Sequence, residues 1–248
     1  MFFIFNLWSN SVLSYNGTYI TMIKIKNITK SYGNNEAAID IFKNISLEIK
    51  DGQNIAIIGS SGSGKSTLLS IISGLDKPTS GSVLYDDVDI HKMSEKELSL
   101  FRNRKIGIIF QAFELVQFFT AYENIMLPLS IRKNGRSKKN FEIVDNIIEA
   151  VNLGHRINSL PATLSGGEQQ RVAIARVLAS GCDVLFADEP TGNLDSINGK
   201  KVLDLLLSFV SKKDKTLIII THDMDIAKQM DVIYEIRDYD LKLVSRSD

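Results

Sequence analysis

The sequence predicts an α/β protein with a helical segment inserted into its core. Short apolar or alternating runs, bounded by turn residues, recur along the 248 residues and are typical of strands. Between residues 110 and 184 the apolar residues instead recur with helical periodicity. A glycine-rich stretch also joins an apolar strand to a helical run, which is a common strand–loop–helix unit of α/β folds. The length suits one large domain or two small ones.

Eight segments are predicted strands because their apolar residues alternate or run together. They lie at residues 23–28, 45–49, 54–58, 82–85, 106–110, 184–187, 217–220 and 232–236. Three stretches with helical periodicity, at 120–133, 140–153 and 166–180, follow the fifth strand, and no convincing strand separates them. We therefore expect one domain over residues 22–248, with a helical subdomain at roughly 112–180.

The first 21 residues do not fit this pattern. They open with a short apolar run but contain no Lys or Arg, so they lack the charged region of a signal peptide. The run is also far shorter than the ~20 residues that span a bilayer. We interpret residues 1–21 as a non-functional extension, because the alternating pattern starts at Met22; the alternative is that they belong to the native chain.

Charge and cysteine content narrow the function classes. Lys plus Arg equals Asp plus Glu at 29 each, so net charge does not indicate nucleic acid as a partner. The single cysteine, Cys182, lies among apolar residues, which favours an inert core residue in a reduced, cytosolic setting. The basic cluster at 132–139 is interpreted as a solvated loop, with contact to phospholipid or a partner as the alternative.

The stretch GSSGSGKST, residues 59–67, has the pattern of a phosphate-binding loop. It follows the apolar strand NIAII and precedes the helical run LLSIISGL, which is the context this pattern needs. Its glycines let backbone N–H groups converge on phosphate oxygens, beside the positive end of a helix. Lys65 should reach the β and γ phosphates, and the Ser66 hydroxyl should bind Mg²⁺. The predicted nucleotide-binding residues here are Gly59, Ser60, Ser61, Gly62, Ser63, Gly64, Lys65, Ser66 and Thr67.

Polar side chains follow three further predicted strands. Asp188 and Glu189 end the run VLFADE, where Asp188 can bind Mg²⁺ and Glu189 can accept a hydrogen bond from an attacking water. His222 follows TLIII and is expected to contact the γ phosphate. Gln111 follows IGIIF, and its amide can orient water or contact Mg²⁺. Because open α/β sheets bind ligands at the carboxyl ends of their strands, we expect these residues to gather near the phosphate loop.

The stretch LSGGEQQR, residues 164–171, resembles the signature motif of the ATP-binding subunits of ABC transporters. The resemblance covers nearly the whole chain from residue 22. It implies a P-loop NTPase fold with a mainly parallel core sheet, an antiparallel β subdomain and an inserted α-helical subdomain. It also implies a homodimer in which each ATP lies between the phosphate loop of one copy and the signature of the other. The signature positions implied to contact nucleotide are Ser165, Gly166, Gly167 and Glu168.

Other positions match further motifs of this family. Tyr32, in KSYG, matches the aromatic residue that stacks on adenine; the alternative is a surface aromatic on a β edge. Asp195, in TGNLD, matches the residue that contacts the opposite subunit. Gln111 matches the glutamine of the loop that faces the membrane partner, and the other strand-end residues match the metal-binding, catalytic and switch positions. The implied catalytic set is Glu189, His222, Gln111 and Lys65, and the implied Mg²⁺ ligands are Ser66, Gln111 and Asp188.

Within the family, FRNRKIGIIFQ, ENIMLPL and DEPTGNLD resemble the branch of lipoprotein-releasing, macrolide-exporting and antimicrobial-peptide or bacteriocin transporters. This implies an ATPase at the cytoplasmic face of the membrane that powers export or extraction of a peptide, lipoprotein or drug-like substrate. The substrate would cross the membrane through a separate permease, which would dock near residues 112–131. One departure from the family is that IRDYDLKLV replaces the usual DG-containing turn between the last strands.

Two other classes of function remain open at this point. One is a soluble ABC ATPase with no transport role, for example in cofactor assembly. Repair ATPases of this kind carry a long coiled coil, and residues 111–164 are too short and lack sustained heptads. The other class is a P-loop kinase, which would not need LSGGEQQR.

Overall fold

The computed structural model describes residues 22–33, 39–133, 135–211 and 215–246, and the predicted extension at 1–21 lies outside them. The strands of these residues are β1 Met22–Tyr32, β2 Ile39–Lys50, β3 Asn54–Ile58, β4 Ser80–Tyr85, β5 Val88–Asp89, β6 Ile106–Ile109, β7 Val184–Asp188, β8 Thr216–Ile220, β9 Val232–Arg237 and β10 Asp240–Arg246. The helices are α1 Lys65–Ile72, α2 Glu95–Lys105, α3 Ala121–Ser130, α4 Lys138–Ala150, α5 Gly166–Ser180, α6 Ser196–Ser211 and α7 Met224–Ala227.

The strands form two sheets. A six-stranded sheet has the order β10-β9-β3-β8-β7-β6, and all of its neighbours pair in parallel except the edge strand β10, which is antiparallel to β9. A four-stranded antiparallel sheet has the order β2-β1-β4-β5. This confirms the predicted combination of a mainly parallel core sheet with an antiparallel β subdomain.

Both faces of the inner strands β3, β7 and β8 are buried, which explains why these strands are apolar almost throughout. In β8, Leu217 and Ile219 belong to a core shared with helices α3 to α5. The alternate residues Ile218 and Ile220 belong to a second core that includes the antiparallel sheet and α1. Successive side chains of a strand point to opposite faces, so a strand covered on both sides must be apolar throughout.

The described residues between β6 and β7 contain helices and no strand, as the periodicity predicts. The predicted stretches 120–133, 140–153 and 166–180 each contain one observed helix, namely α3, α4 and α5. All three helices begin at a Ser or Thr whose side chain accepts a hydrogen bond from the first turn. The bounds of the helical subdomain, 112–180, stay a prediction.

Several elements differ from the sequence-based expectation. Strands β5 and β10 are absent from the predicted set, and helices α2 and α6 also lack a predicted counterpart. β10 is an edge strand with no buried residue, so its sequence shows no alternation between core and solvent. β2 begins at Ile39, six residues before the predicted start, because its pairing with β1 extends beyond the apolar alternation. No helix in the described ranges is long and apolar enough to cross a membrane.

Three charged side chains form a buried cluster at the amino ends of the central strands. The Asp183 carboxylate contacts Lys105 Nζ at 2.6 Å and Lys215 Nζ at 3.1 Å, and all three side chains are less than 10% exposed. The neighbouring Cys182 is fully buried, as predicted, and burial raises the pKa of its thiol. Because Lys105 precedes β6, Asp183 precedes β7 and Lys215 precedes β8, the cluster ties three strand starts together.

We expect Asp183→Asn to reduce the free energy of unfolding by about 3–5 kcal/mol, because it leaves two buried ammonium groups without a carboxylate. Urea denaturation measures this change. The matched control is Asp87→Asn, which removes an exposed pair with Lys24 and should hardly shift the midpoint. Equal effects of the two substitutions would contradict the structural role of the cluster.

Candidate functional site

The phosphate loop lies between β3 and α1, in the arrangement predicted for residues 59–67. Gly64 precedes α1 with φ +94°, and a Cβ there would lie 2.5 Å from Ile41 Cγ2, so glycine is required for both reasons. The Lys65 ammonium donates to the carbonyl oxygens of Gly59 (2.9 Å) and Ser60 (2.8 Å). These bonds hold the positive charge directly over the loop.

Ser66 and Asp188 meet at the base of the loop, where the Ser66 hydroxyl hydrogen-bonds the Asp188 carboxylate. Burial raises the pKa of Asp188, and the nearby charge of Glu189 raises it further. The hydrogen bond from Ser66 and the charge of Lys65 oppose this rise. A hydroxyl and a carboxylate side by side are hard oxygen ligands of the kind that Mg²⁺ prefers, so the pair fits the predicted metal site.

Glu189 and His222 are in direct contact. The His222 Nδ1 atom lies 2.7 Å from Glu189 Oε1, and the Glu189 side chain is 13% exposed whereas that of His222 is 74% exposed. Glu189 adopts a left-handed backbone with φ +45°, and its N–H donates to the Ile220 carbonyl at the end of β8. The strained backbone turns the carboxylate toward the end of the neighbouring strand. The imidazole therefore covers the solvent side of a largely buried carboxylate.

Gln111 lies next to the same group of residues. Its backbone carbonyl accepts a hydrogen bond from Asn193 Nδ2 at 2.8 Å, a contact that sequence reasoning missed. A methyl group on Gly192 would lie 3.5 Å from both Gln111 Nε2 and Glu189 Cβ. The structure thus brings all of the predicted strand-end residues to one edge of the sheet. Their roles in binding and catalysis stay predictions.

The signature stretch forms the start of helix α5. Ser165 and Glu168 make a reciprocal cap: the Glu168 carboxylate accepts from Ser165 N (2.8 Å) and Oγ (3.0 Å), and Glu168 N donates to Ser165 Oγ (3.3 Å). Arg156 Nε also donates to this carboxylate at 3.0 Å. The backbone N–H of Ser165 is the main cause of a lowered pKa at Glu168. The cap accounts for Glu168 without any contact to nucleotide, and the S-x-x-E spacing could have indicated it.

The signature does not meet the phosphate loop of its own chain. Among the described residues, no hydrogen bond or ion pair joins 165–168 to 59–67. A Cβ on Gly167 would instead lie 3.9 Å from Asn198 Cγ, at the start of α6. The Asp195 carboxylate accepts from the N–H (3.0 Å) and the Nδ2 (2.6 Å) of Asn198, and these bonds lower the pKa of Asp195. Asp195 therefore holds the start of α6 in place.

Tyr32 lies at the end of β1, half exposed, within a charged network. Its hydroxyl donates to Asp76 Oδ2 (3.0 Å), and Lys30 Nζ lies 4.6 Å from the centre of its ring. Lys30 also pairs with Asp76 at 2.7 Å. Lys30 therefore holds one face of the ring by a cation–π contact, and Asp76 holds its hydroxyl. None of these contacts reaches the phosphate loop, so stacking of adenine on Tyr32 stays a prediction.

The fold and the loop together define an ATP-binding domain of the P-loop class, and comparison with known proteins agrees. A family model described as ABC transporter matches residues 42–192. The chain is 44% identical to an ABC transporter ATP-binding protein of Methanocaldococcus jannaschii (88% of this chain, 96% of that one). It is 42% identical to the lipoprotein-releasing system ATP-binding protein LolD of Syntrophus aciditrophicus (88% and 97%).

A solved structure with the same fold is the dimeric, post-hydrolysis state of the ATP-binding cassette MJ0796 bound to ADP and Pi. It matches with a TM-score of 0.84 and 38% identity, over 91% of this chain and 99% of that one. The chain therefore belongs to the ABC transporter family, as an ATP-binding subunit, and it is an ATPase.

Because burial raises the pKa of Asp188, its ionised form destabilises the nucleotide-free fold at neutral pH. Asp188→Asn removes the charge and still accepts a hydrogen bond from Ser66, so we expect a higher melting temperature. The rise in melting temperature should be largest at pH values well above the pKa of Asp188. It should shrink as the pH falls through that pKa, because the carboxyl of the unmodified protein then becomes neutral. Thermal unfolding at a series of pH values from neutral down through the acid range measures this change.

The matched control is Asp40→Asn. Hydrogen bonds from Lys43 and Ser31 lower the pKa of Asp40, so the same substitution there should lower the melting temperature at neutral pH. A lower melting temperature for Asp188→Asn would contradict the assigned cost of burying its carboxylate.

Proposed function

We propose that this ATPase works as a head-to-tail homodimer docked on a separate membrane permease at the cytoplasmic face of the membrane. In this role it powers export or extraction of a peptide, lipoprotein or drug-like substrate. The observation that carries the proposal is that, among the described residues, no hydrogen bond or ion pair joins the phosphate loop to the start of α5, where Ser165 and Gly166 are exposed. The dimeric state of the cassette MJ0796 and the lipoprotein-releasing role in the name of LolD support it.

The start of α5 is suited to binding a phosphate from a second copy. The cap uses the N–H groups of Ser165 and Glu168, whereas those of Gly166 and Gly167 donate to no described group of this chain. Two unpaired N–H groups at the positive end of a helix bind anions. Two or three charge-assisted bonds of about 1.5–3 kcal/mol each give roughly 5 kcal/mol per site.

Two such sites give about 10 kcal/mol, which is comparable with the roughly −8 kcal/mol of a micromolar complex. Loss of the γ phosphate removes these bonds, and the two copies separate. ATP binding and hydrolysis thereby alternate the dimer between closed and open states, which is the motion that a permease requires.

The strand-end residues supply the chemistry of hydrolysis. Glu189 accepts a hydrogen bond from the attacking water and places it in line with the γ phosphate. His222 donates to the Glu189 carboxylate and fixes its orientation. Lys65 donates to the β and γ phosphates. Mg²⁺ would be held by Ser66 and Asp188, and it would neutralise charge that develops on the phosphates.

Glu189→Gln should keep ATP binding and reduce steady-state hydrolysis by about 100-fold or more, because the amide is a poor acceptor of the water proton. Because the bound ATP is not cleaved, the dimer should accumulate, and gel filtration should detect it only in the presence of ATP. Glu142→Gln, on the exposed face of α4, is the matched control and should behave as the unmodified protein. A monomer in ATP, or hydrolysis near the unmodified rate, would refute the proposal.

The permease would dock on residues 112–131, which follow Gln111. This segment exposes two large apolar side chains, Phe118 at 82% and Ile131 at 67%. Extraction of the natively expressed protein in mild detergent should recover a complex with an integral membrane protein. Phe118→Ser should weaken that complex, whereas Ile197→Ser, which removes another exposed apolar side chain on α6, should not. Recovery of a purely soluble complex would favour the alternative, a non-transport ABC ATPase such as one in cofactor assembly.

A further inference from the structure

The turn between β9 and β10 holds a tyrosine in an unfavourable conformation. Arg237 of β9 lies opposite Asp240 of β10 in the strand register, so Asp238 and Tyr239 form a two-residue turn. Their φ values are +54° and +65°. Such turns favour Asn-Gly or Asp-Gly, because positive φ is required at both positions. A bulky residue in the left-handed region is strained. Strain of this kind is concentrated at ligand sites, where the surrounding structure maintains it.

This turn forms one wall of a depression beside the phosphate loop. The depression has a volume of about 640 Å³, within the usual range for small-molecule sites. Tyr239 is 56% exposed. The lining includes Ile39, Ile41, Ser60, Gly62, Ser63 and Tyr239.

The turn contacts β2, and the strand that leads into it contacts the phosphate loop. Lys43 N donates to the Tyr239 carbonyl at 2.9 Å, and Lys43 Nζ lies 5.9 Å from the centre of the ring. On the other side, a Cβ on Gly59 would lie 2.8 Å from the Ile236 carbonyl, so the loop abuts the end of β9. The aromatic ring and the phosphate-binding backbone are therefore adjacent walls of one depression. Tyr32, in contrast, contacts Lys30 and Asp76.

We propose that Tyr239 packs against the base of the nucleoside triphosphate whose phosphates bind residues 59–67. The inference rests on the nucleotide site of the proposed function and adds a second aromatic residue to it. An exposed tyrosine face next to a phosphate site offers a surface on which a base stacks, whatever its identity. Tyr239 is then a binding residue for the nucleoside, separate from the residues that hold the phosphates.

The test compares ATP with inorganic tripolyphosphate, which has the phosphates but no base, by isothermal titration calorimetry with Mg²⁺. Tyr239→Gly should weaken ATP binding by about 5- to 100-fold, as expected for loss of one stacked base. It should leave tripolyphosphate binding unchanged. Glycine suits the positive φ, so the turn and the fold are retained. Tyr239→Asn, which also tolerates this backbone, should give the same result.

Two controls separate the ring from the turn. Asp238→Gly relieves strain in the same turn but keeps the ring, and Tyr239→Phe keeps the ring itself; both should bind ATP as the unmodified protein does. Unchanged ATP affinity in Tyr239→Gly would overturn the proposal. An equal loss for ATP and tripolyphosphate would also overturn it, because the turn would then act on the phosphate loop. If the unmodified protein bound neither ligand, the proposed nucleotide site itself would be wrong.

Discussion

Parallel pairing of the central strands is the constraint on which the rest of the structure depends. In the order β9-β3-β8-β7-β6, every strand ends at the same edge of the sheet. The phosphate loop after β3 is therefore adjacent to the ends of β8 and β7, and Gln111 follows β6. In the register of β7 and β8, Asp188 lies opposite Ile220. The residues that follow these strands therefore meet, and Glu189 Oε1 lies 2.7 Å from His222 Nδ1. Residues more than 100 positions apart in sequence thus meet in one site.

The two ends of the strands in this sheet contribute differently to stability. At the amino ends, the buried cluster around Asp183 and the interstrand bonds of its backbone hold β6, β7 and β8 together. At the carboxyl ends, the cost of burying Asp188 and the strained backbone of Glu189 reduce stability. A buried carboxylate and a strained backbone are seldom optimal for folding, so stabilisation comes from elsewhere. A strand of five residues, β7, connects the two ends.

The sequence predicts the fold class and the placement of most site residues. This is possible because each motif has a recognisable spacing and lies directly after a predicted strand. It cannot reveal the cluster of Lys105, Asp183 and Lys215, whose members are 78 and 32 residues apart and carry no shared pattern. Glu168 shows a different overlap: the S-x-x-E spacing of a helix cap coincides with the signature motif, and the cap accounts for the position of the carboxylate, while contact of Glu168 with nucleotide stays a prediction. Tyr239 was visible as an unusual turn, but its place beside the phosphate loop follows only from the pairing of β9 with β3.

Site-specific cross-linking shows whether one ATP site is built from two chains. The only cysteine, Cys182, is buried, so introduced thiols react alone. Copies carrying Ser61→Cys and copies carrying Gly166→Cys, both with Glu189→Gln, are mixed and treated with a short bis-maleimide. A covalent heterodimer should form in ATP, and little of it should form in ADP. Absence of an ATP-dependent cross-link, or a cross-link formed within one chain that carries both substitutions, would contradict a site built from two chains.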